Sequence, residues 1–125
     1  MISNQSISQM SAKTGHLQIS HFNELRELLE EDFVDLIHMY MKDSELRVQE
    51  MQNALTEQNN RLGYEAAHTL KGASSNLGAT HLTELCYQLQ EACRDNQIEH
   101  QQVLIEAITT ENQAVNAEIM TLISQ

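Results

Sequence analysis

Apolar residues recur at intervals of three and four along most of this chain, the spacing of helices that each bury one face. Phe22, Leu25, Leu28 and Leu29 predict a short first helix, with Ser20 in place to cap it. From about Asp32 the series Val34, Ile37, Met41, Ser44, Val48, Met51 and Leu55 marks a long second helix, with Asp35, Asp43, Glu45 and Glu50 on its wet side. The polar run Glu57-Gln58-Asn59-Asn60 ends it. Ala67, Leu70, Ser74 and Leu77 form the inward seam of a third helix over about 62–77. Gly78 stops that helix and Thr80 is placed to cap the next. A fourth helix over about 81–95 buries Leu82, Leu85, Cys86, Leu89, Ala92 and Cys93. After the loop Asp95-Asn96-Gln97, a long last helix carries Leu104, Ile108, Val115, Ile119 and Leu122 inward.

Each stripe is too narrow to be stable alone in water, so the helices must pack on one another. The economical arrangement is all-α: an antiparallel up-down four-helix bundle with a short additional N-terminal helix as a lid, over residues 19–125. Residues 1–18 carry few apolar residues and no sustained period, and read as a flexible polar tail.

Composition narrows the function classes. At 125 residues the chain has the size of one domain, and the absence of Pro with only four Gly favours uninterrupted helices. Eighteen acids against seven bases give a net charge of −11, which repels nucleic-acid backbones and anionic membranes. No apolar run reaches the length of a bilayer span, and the first sixteen residues lack the order of a secretory signal, so a cytoplasmic location is expected. Cys86 and Cys93 lie on one helical face roughly 10 Å apart along the axis, beyond disulfide reach, and read as buried reduced thiols. No second broad apolar stripe is left over, so a monomer is expected. His16, His21, His38, His81 and His100 are scattered and read as surface or cap residues, and the six Met residues, Met39, Met41 and Met51 among them, as core filler.

One histidine stands apart. On the third helix, His68, Lys71, Gly72 and Ser75 share a face opposite the seam Ala67, Leu70, Ser74 and Leu77. An imidazole on a wet face with an ammonium one turn away is not a core histidine. Gly72 costs the helix about 1 kcal/mol relative to Ala, yet it clears space beside His68 large enough for a docking protein domain. On the fourth helix Gln90 and Arg94, one turn apart beside the Leu89/Cys93 seam, are placed to approach His68. Arg94 with Lys71 would then make a positive spot suited to a phosphoryl group.

The run His68-Thr69-Leu70-Lys71-Gly72-Ala73-Ser74-Ser75-Asn76-Leu77-Gly78-Ala79 resembles the signature of histidine-containing phosphotransfer (HPt) domains, here in a stand-alone form, and the bundle over about 22–122 suits that family. The resemblance implies a phosphorelay intermediate. His68 would accept a phosphoryl group on Nε2 from the aspartate of one receiver domain, such as that of a hybrid histidine kinase, and pass it to the receiver of a response regulator. Lys71 would help to hold the group and Gly72 would give the receiver access. Ser75, Gln90 and Arg94 would contribute to phosphoryl or partner binding. The chain has no paired carboxylates for a metal, no Gly-rich phosphate loop and no nucleotide site, so it needs no cofactor of its own. Mg²⁺ would sit on the partner receiver, and the chain would be a carrier without autonomous turnover. The contact is expected to be small, apolar around the histidine and charged at its rim.

Two other readings are available. An acidic helical adaptor would bind receivers without accepting phosphate. A di-iron carboxylate protein would use Glu65-x-x-His68 and Asp35-x-x-His38, but Glu65 and Asp35 both fall outside the inward seams of their helices.

Overall fold

The structure is a computed structural model that describes residues 15–124. Among the described residues the α-helices are α1 (Ile19–Leu29), α2 (Phe33–Glu57), α3 (Asn60–Leu77), α4 (Thr80–Arg94) and α5 (Gln102–Ile123). Short 3₁₀ turns over Glu30–Asp32 and Ile98–His100 lead into α2 and α5. Among the described residues there is no strand. Helices α2 to α5 form the antiparallel up-down bundle, each packed on its sequence neighbours, with α5 returning to α2 to close the ring. The core is a single cluster that runs from Leu17 to Ile119.

The seams follow the expected period with local shifts. In α2 the buried positions are Phe33, Ile37, Ser44, Val48, Met51 and Ala54, while Val34 is exposed and Met41 and Leu55 are half-buried. The seam starts one residue earlier because Phe33 packs edge-on against Phe22 of α1, centroids 5.2 Å apart. The Arg26 guanidinium lies 5.5 Å from both rings, and its Nη2 donates to the Leu122 carbonyl at 2.9 Å, which ties α1 to the end of α5. In α1 only Phe22 is fully buried, and Leu28 points to solvent. In α4, Leu85 and Ala92 are half-buried flanks and Gln90 joins the buried set.

Both expected N-caps are corrected. No side chain caps α1: it starts at Ile19, one residue before Ser20, because the Gln18 N–H is already held by the Gly78 carbonyl at 2.9 Å. Thr80 is the first residue of α4 rather than its cap, since the preceding turn holds Ala79 at that position. Gly78 stops α3 at φ +86°, and the Gly78 and Ala79 N–H groups return to the Ser75 and Ser74 carbonyls at 3.1 and 2.9 Å. That double bond is the Schellman arrangement, which needs a residue free to adopt positive φ. One cap the hydrophobic period could not show is Asn59, whose Oδ1 accepts from the Leu62 N–H at 3.0 Å and starts α3 two residues early.

Residues 1–14 of the expected tail lie outside the described residues. The tail does not extend to residue 18. Leu17 is 2% exposed, and His16 donates its backbone N–H to Glu118 at 2.9 Å while its Nδ1 lies 2.8 Å from Glu111 Oε2. His16 is therefore a latch on α5 rather than a scattered surface residue. His21 similarly reaches the Asn76 carbonyl with Nε2 at 2.7 Å. A strap of residues 16–22 so ties down the end of α3 that follows the His68 motif.

Candidate functional site

His68 sits in mid-α3 on the exposed face, as the wheel predicts, with Ala67 and Leu70 fully buried beneath it. Small residues on the inward side of α3 (Gly63, Ala66, Ala67) let α4 approach closely. This proximity brings Gln90 to the imidazole: Nδ1 lies 2.9 Å from Gln90 Oε1. Gln90 is only 4% exposed, held at the junction of α3 and α4. Its Nε2 donates to Glu91 Oε2 at 3.1 Å. A carboxylate can only accept, so Gln90 presents its oxygen to His68, and the imidazole must donate from Nδ1. Nε2 is then the nitrogen with a free lone pair, and it has no hydrogen-bond partner among the described residues.

Tyr64, which the sequence pattern did not single out, and Arg94, which it did, complete the surroundings. The Tyr64 ring, one turn before His68, lies nearly parallel to the imidazole, 5° between planes and 5.9 Å between centroids. Arg94 does not approach His68 directly. Its Nη2 donates to the Tyr64 hydroxyl at 3.3 Å, its guanidinium lies 5.7 Å from the Tyr64 ring centroid, and its Nη1 pairs with Glu91 Oε1 at 3.2 Å. Those contacts hold the Arg94 guanidinium above its ordinary range, first through the Tyr64 hydrogen bond and then through the Glu91 charge. Lys71 likewise rests on an aromatic face, Nζ 5.6 Å from the Tyr87 ring centroid. The expected positive spot is thus two cations that each rest on a tyrosine, neither of them bonded to His68.

Gly72 is exposed, and a Cβ placed there would meet nothing within 4 Å beyond its own helix backbone and its sequence neighbours. Its missing side chain relieves no crowding inside the molecule. Ser75 is also exposed, next along the same face. On the other side of α3 a groove of about 350 Å³ opens between α1, α2 and α3, lined by Leu25, Leu36, Met39, Tyr40, Ala73 and Asn76. Met39 is 69% exposed and Leu36 and Leu46 continue its stripe on α2. The expectation that no second apolar stripe is left over fails here, and Met39 is not core filler. The outer face of α2 follows its own run, Leu36, Met39 and Leu46, beside the buried one.

The Glu-x-x-His pairs do not project inward. Glu65, Asp35, His38 and His68 are all exposed, and Glu65 is paired with Arg61. Among the described residues no three His, Cys, Asp or Glu side chains come together in a way that could hold a metal ion. Cys86 and Cys93 are free and buried, and burial raises their thiols to about 12 and about 11. No helix of the described residues is long and apolar enough to cross a membrane.

The Hpt domain family model matches residues 35–118, which covers α3 and its histidine face entirely. The chain belongs to the Hpt domain family. The Hpt fold is seen again in histidine-containing phosphotransfer protein B (HptB) of Pseudomonas aeruginosa PAO1. That structure is 29% identical, with a TM-score of 0.82 over 86% of this chain and 94% of that one. The histidine-containing phosphotransfer protein ZmHP2 from maize shares the fold at a TM-score of 0.80 and 19% identity, over 97% of this chain and 98% of that one. No curated protein matches the chain by sequence. Histidine phosphotransfer in a phosphorelay is the function this Hpt membership supports.

Proposed function

We propose that His68 is the phosphoacceptor, and that it takes a phosphoryl group from the aspartyl phosphate of one receiver domain and returns it to the aspartate of another. The observation that carries this is the fixed imidazole: Nδ1 is engaged by Gln90, Nε2 has no partner among the described residues, and the position one turn on has no side chain. A neutral imidazole nitrogen with a free lone pair is a competent nucleophile near neutral pH. The Nε2–P bond forms as the aspartyl O–P bond breaks, and the carboxylate is regenerated on the receiver. The Nδ1 proton stays where it is, donated to Gln90. In the reverse step the receiver's carboxylate oxygen takes the phosphorus and the electron pair returns to Nε2.

Phosphoryl transfer rests on positioning and on charge neutralisation. This chain supplies the positioning, with Lys71 and Arg94 at the rim to meet the oxygens of the group and Ser75 beside the approach. The receiver supplies Mg²⁺ and the closing contacts, so the chain acts as a cytoplasmic carrier with no turnover of its own. The groove lined by Leu25, Leu36 and Met39 extends the receiver-docking face from α3 on to α1 and α2.

Incubation with a ³²P-labelled phospho-receiver tests the reading. The chain is expected to gain a label that is acid-labile and base-stable, and His68→Gln is expected to gain none. Binding of the receiver without label transfer would instead make the chain a docking adaptor. Equal labelling of His68→Gln would place the acceptor elsewhere.

A further inference from the structure

Five side chains, His68 among them, form a closed circuit across α3 and α4. His68 Nδ1 meets Gln90 Oε1 at 2.9 Å, and Gln90 Nε2 meets Glu91 Oε2 at 3.1 Å. Glu91 Oε1 meets Arg94 Nη1 at 3.2 Å, and Arg94 Nη2 meets the Tyr64 hydroxyl at 3.3 Å. Tyr64 closes the ring by lying parallel to the imidazole. Each link has a defined direction except the Gln90 amide, whose oxygen and nitrogen could exchange places. Glu91 removes that freedom, because an ionised carboxylate offers the amide an acceptor and no donor.

We propose that Glu91 is a positioning residue that sets the reactive nitrogen of His68: it holds the Gln90 amide so that its oxygen receives the Nδ1 proton, and Nε2 is left as the nucleophile. This deepens the phosphotransfer reading and rests on it for its catalytic consequence. With the amide turned over, its NH₂ would face Nδ1, the proton would move to Nε2, and the outward nitrogen would have no lone pair to offer. Glu91 touches neither His68 nor an incoming phosphoryl group and acts wholly through Gln90. Its second oxygen keeps Arg94 against Tyr64, so one carboxylate fixes both the amide and the far end of the circuit. Glu91 is half-buried on the rim of α4, where truncation leaves the core intact.

The test combines spectroscopy with kinetics on the full chain. Long-range ¹H–¹⁵N spectra of the unphosphorylated protein report which His68 nitrogen bears the proton. The wild type is expected to show the Nδ1–H tautomer as the main neutral form, and Glu91→Ala to show a several-fold larger share of Nε2–H. Phosphoryl acceptance from a labelled receiver is expected to slow about three- to tenfold in Glu91→Ala, the scale of one net hydrogen bond. In a Gln90→Leu background the same Glu91 change is expected to have no further effect on the rate, as the route through the amide is already gone. An unchanged tautomer share in Glu91→Ala, or an undiminished rate effect in the Gln90→Leu background, overturns the proposal. The spectra need no phosphoryl donor. A wild type that accepts no phosphate therefore sinks the phosphotransfer reading alone, and the tautomer assignment is decided by the spectra.

Discussion

Gly63 of α3 faces Cys93 of α4 so closely that a Cβ on the glycine would lie 2.8 Å from the cysteine Sγ, with the Ile98 Cδ1 methyl at 3.0 Å. This is where α3 and α4 meet without room for a methyl group. Five residues on, the same two helices exchange the His68–Gln90 hydrogen bond. Gly63→Ala is expected to destabilise the fold by about 1–3 kcal/mol, since an overfilled core must shift its neighbours. It should also loosen the His68–Gln90 geometry. Chemical denaturation checks the first effect, and a wild-type unfolding midpoint would show that α4 retreats without strain.

Gly72 is the opposite case. Open space surrounds the position, so Gly72→Ala is expected to raise stability by about 1 kcal/mol through helix propensity. Gly72→Gln should fold equally well but slow phosphoryl acceptance at least tenfold, as a clash of about 1.4 kcal/mol at the receiver contact suffices for that. Parallel denaturation and transfer measurements separate the two effects. Unimpaired transfer by the Gln variant would remove Gly72 from the docking face.

Leu17 belongs to the core despite its place before the first helix. Leu17→Ala is expected to cost at least about 2 kcal/mol, the ordinary loss for a buried leucine. A change below about 0.5 kcal/mol, the range of surface substitutions, would show that residues 16–18 do not hold the bundle.

The buried thiols make stability fall at high pH. Burial disfavours the thiolate, so folded Cys86 keeps its proton up to about 12, whereas the unfolded chain releases it near the ordinary 9.0. The contribution is complete below pH 9.0 and is lost as pH rises toward about 12, with Cys93 following the same course toward about 11. Tyr40, also raised by burial, acts in the same direction. Denaturation midpoints are expected to be level near neutrality and to fall above pH 9.0, with a shallower fall in Cys86→Ala. Thiol reagents at neutral pH should label both cysteines only on unfolding, and rapid labelling of the native protein would contradict the burial.

Much of the site was legible in the order of residues. The period of α3 fixed His68, Gly72 and Ser75 on the wet face, because side chains one and two turns apart on a helix must share a side. Gly78 announced the end of that helix, because few other residues accept its φ of +86°. The faces of α2 were less legible: Phe33 displaced Val34 from the seam, and Leu36 and Met39 came to lie outside, because Phe22 and α1 choose which side of α2 is covered.

The sequence by itself determined the helical class, the long helices and the exposed imidazole, since all of these follow from spacing within one segment. Tertiary structure alone decided that Gln90 would be buried against His68, that Arg94 would rest on Tyr64 rather than on the histidine, and that His16 would latch to Glu111. Those pairs join residues 22, 30 and 95 positions apart, and their meeting depends on the axial register and rotation of one helix against another. Local periodicity carries no information about that register. The bulk of the side chains packed between the helices sets it, and with it the nitrogen that His68 presents.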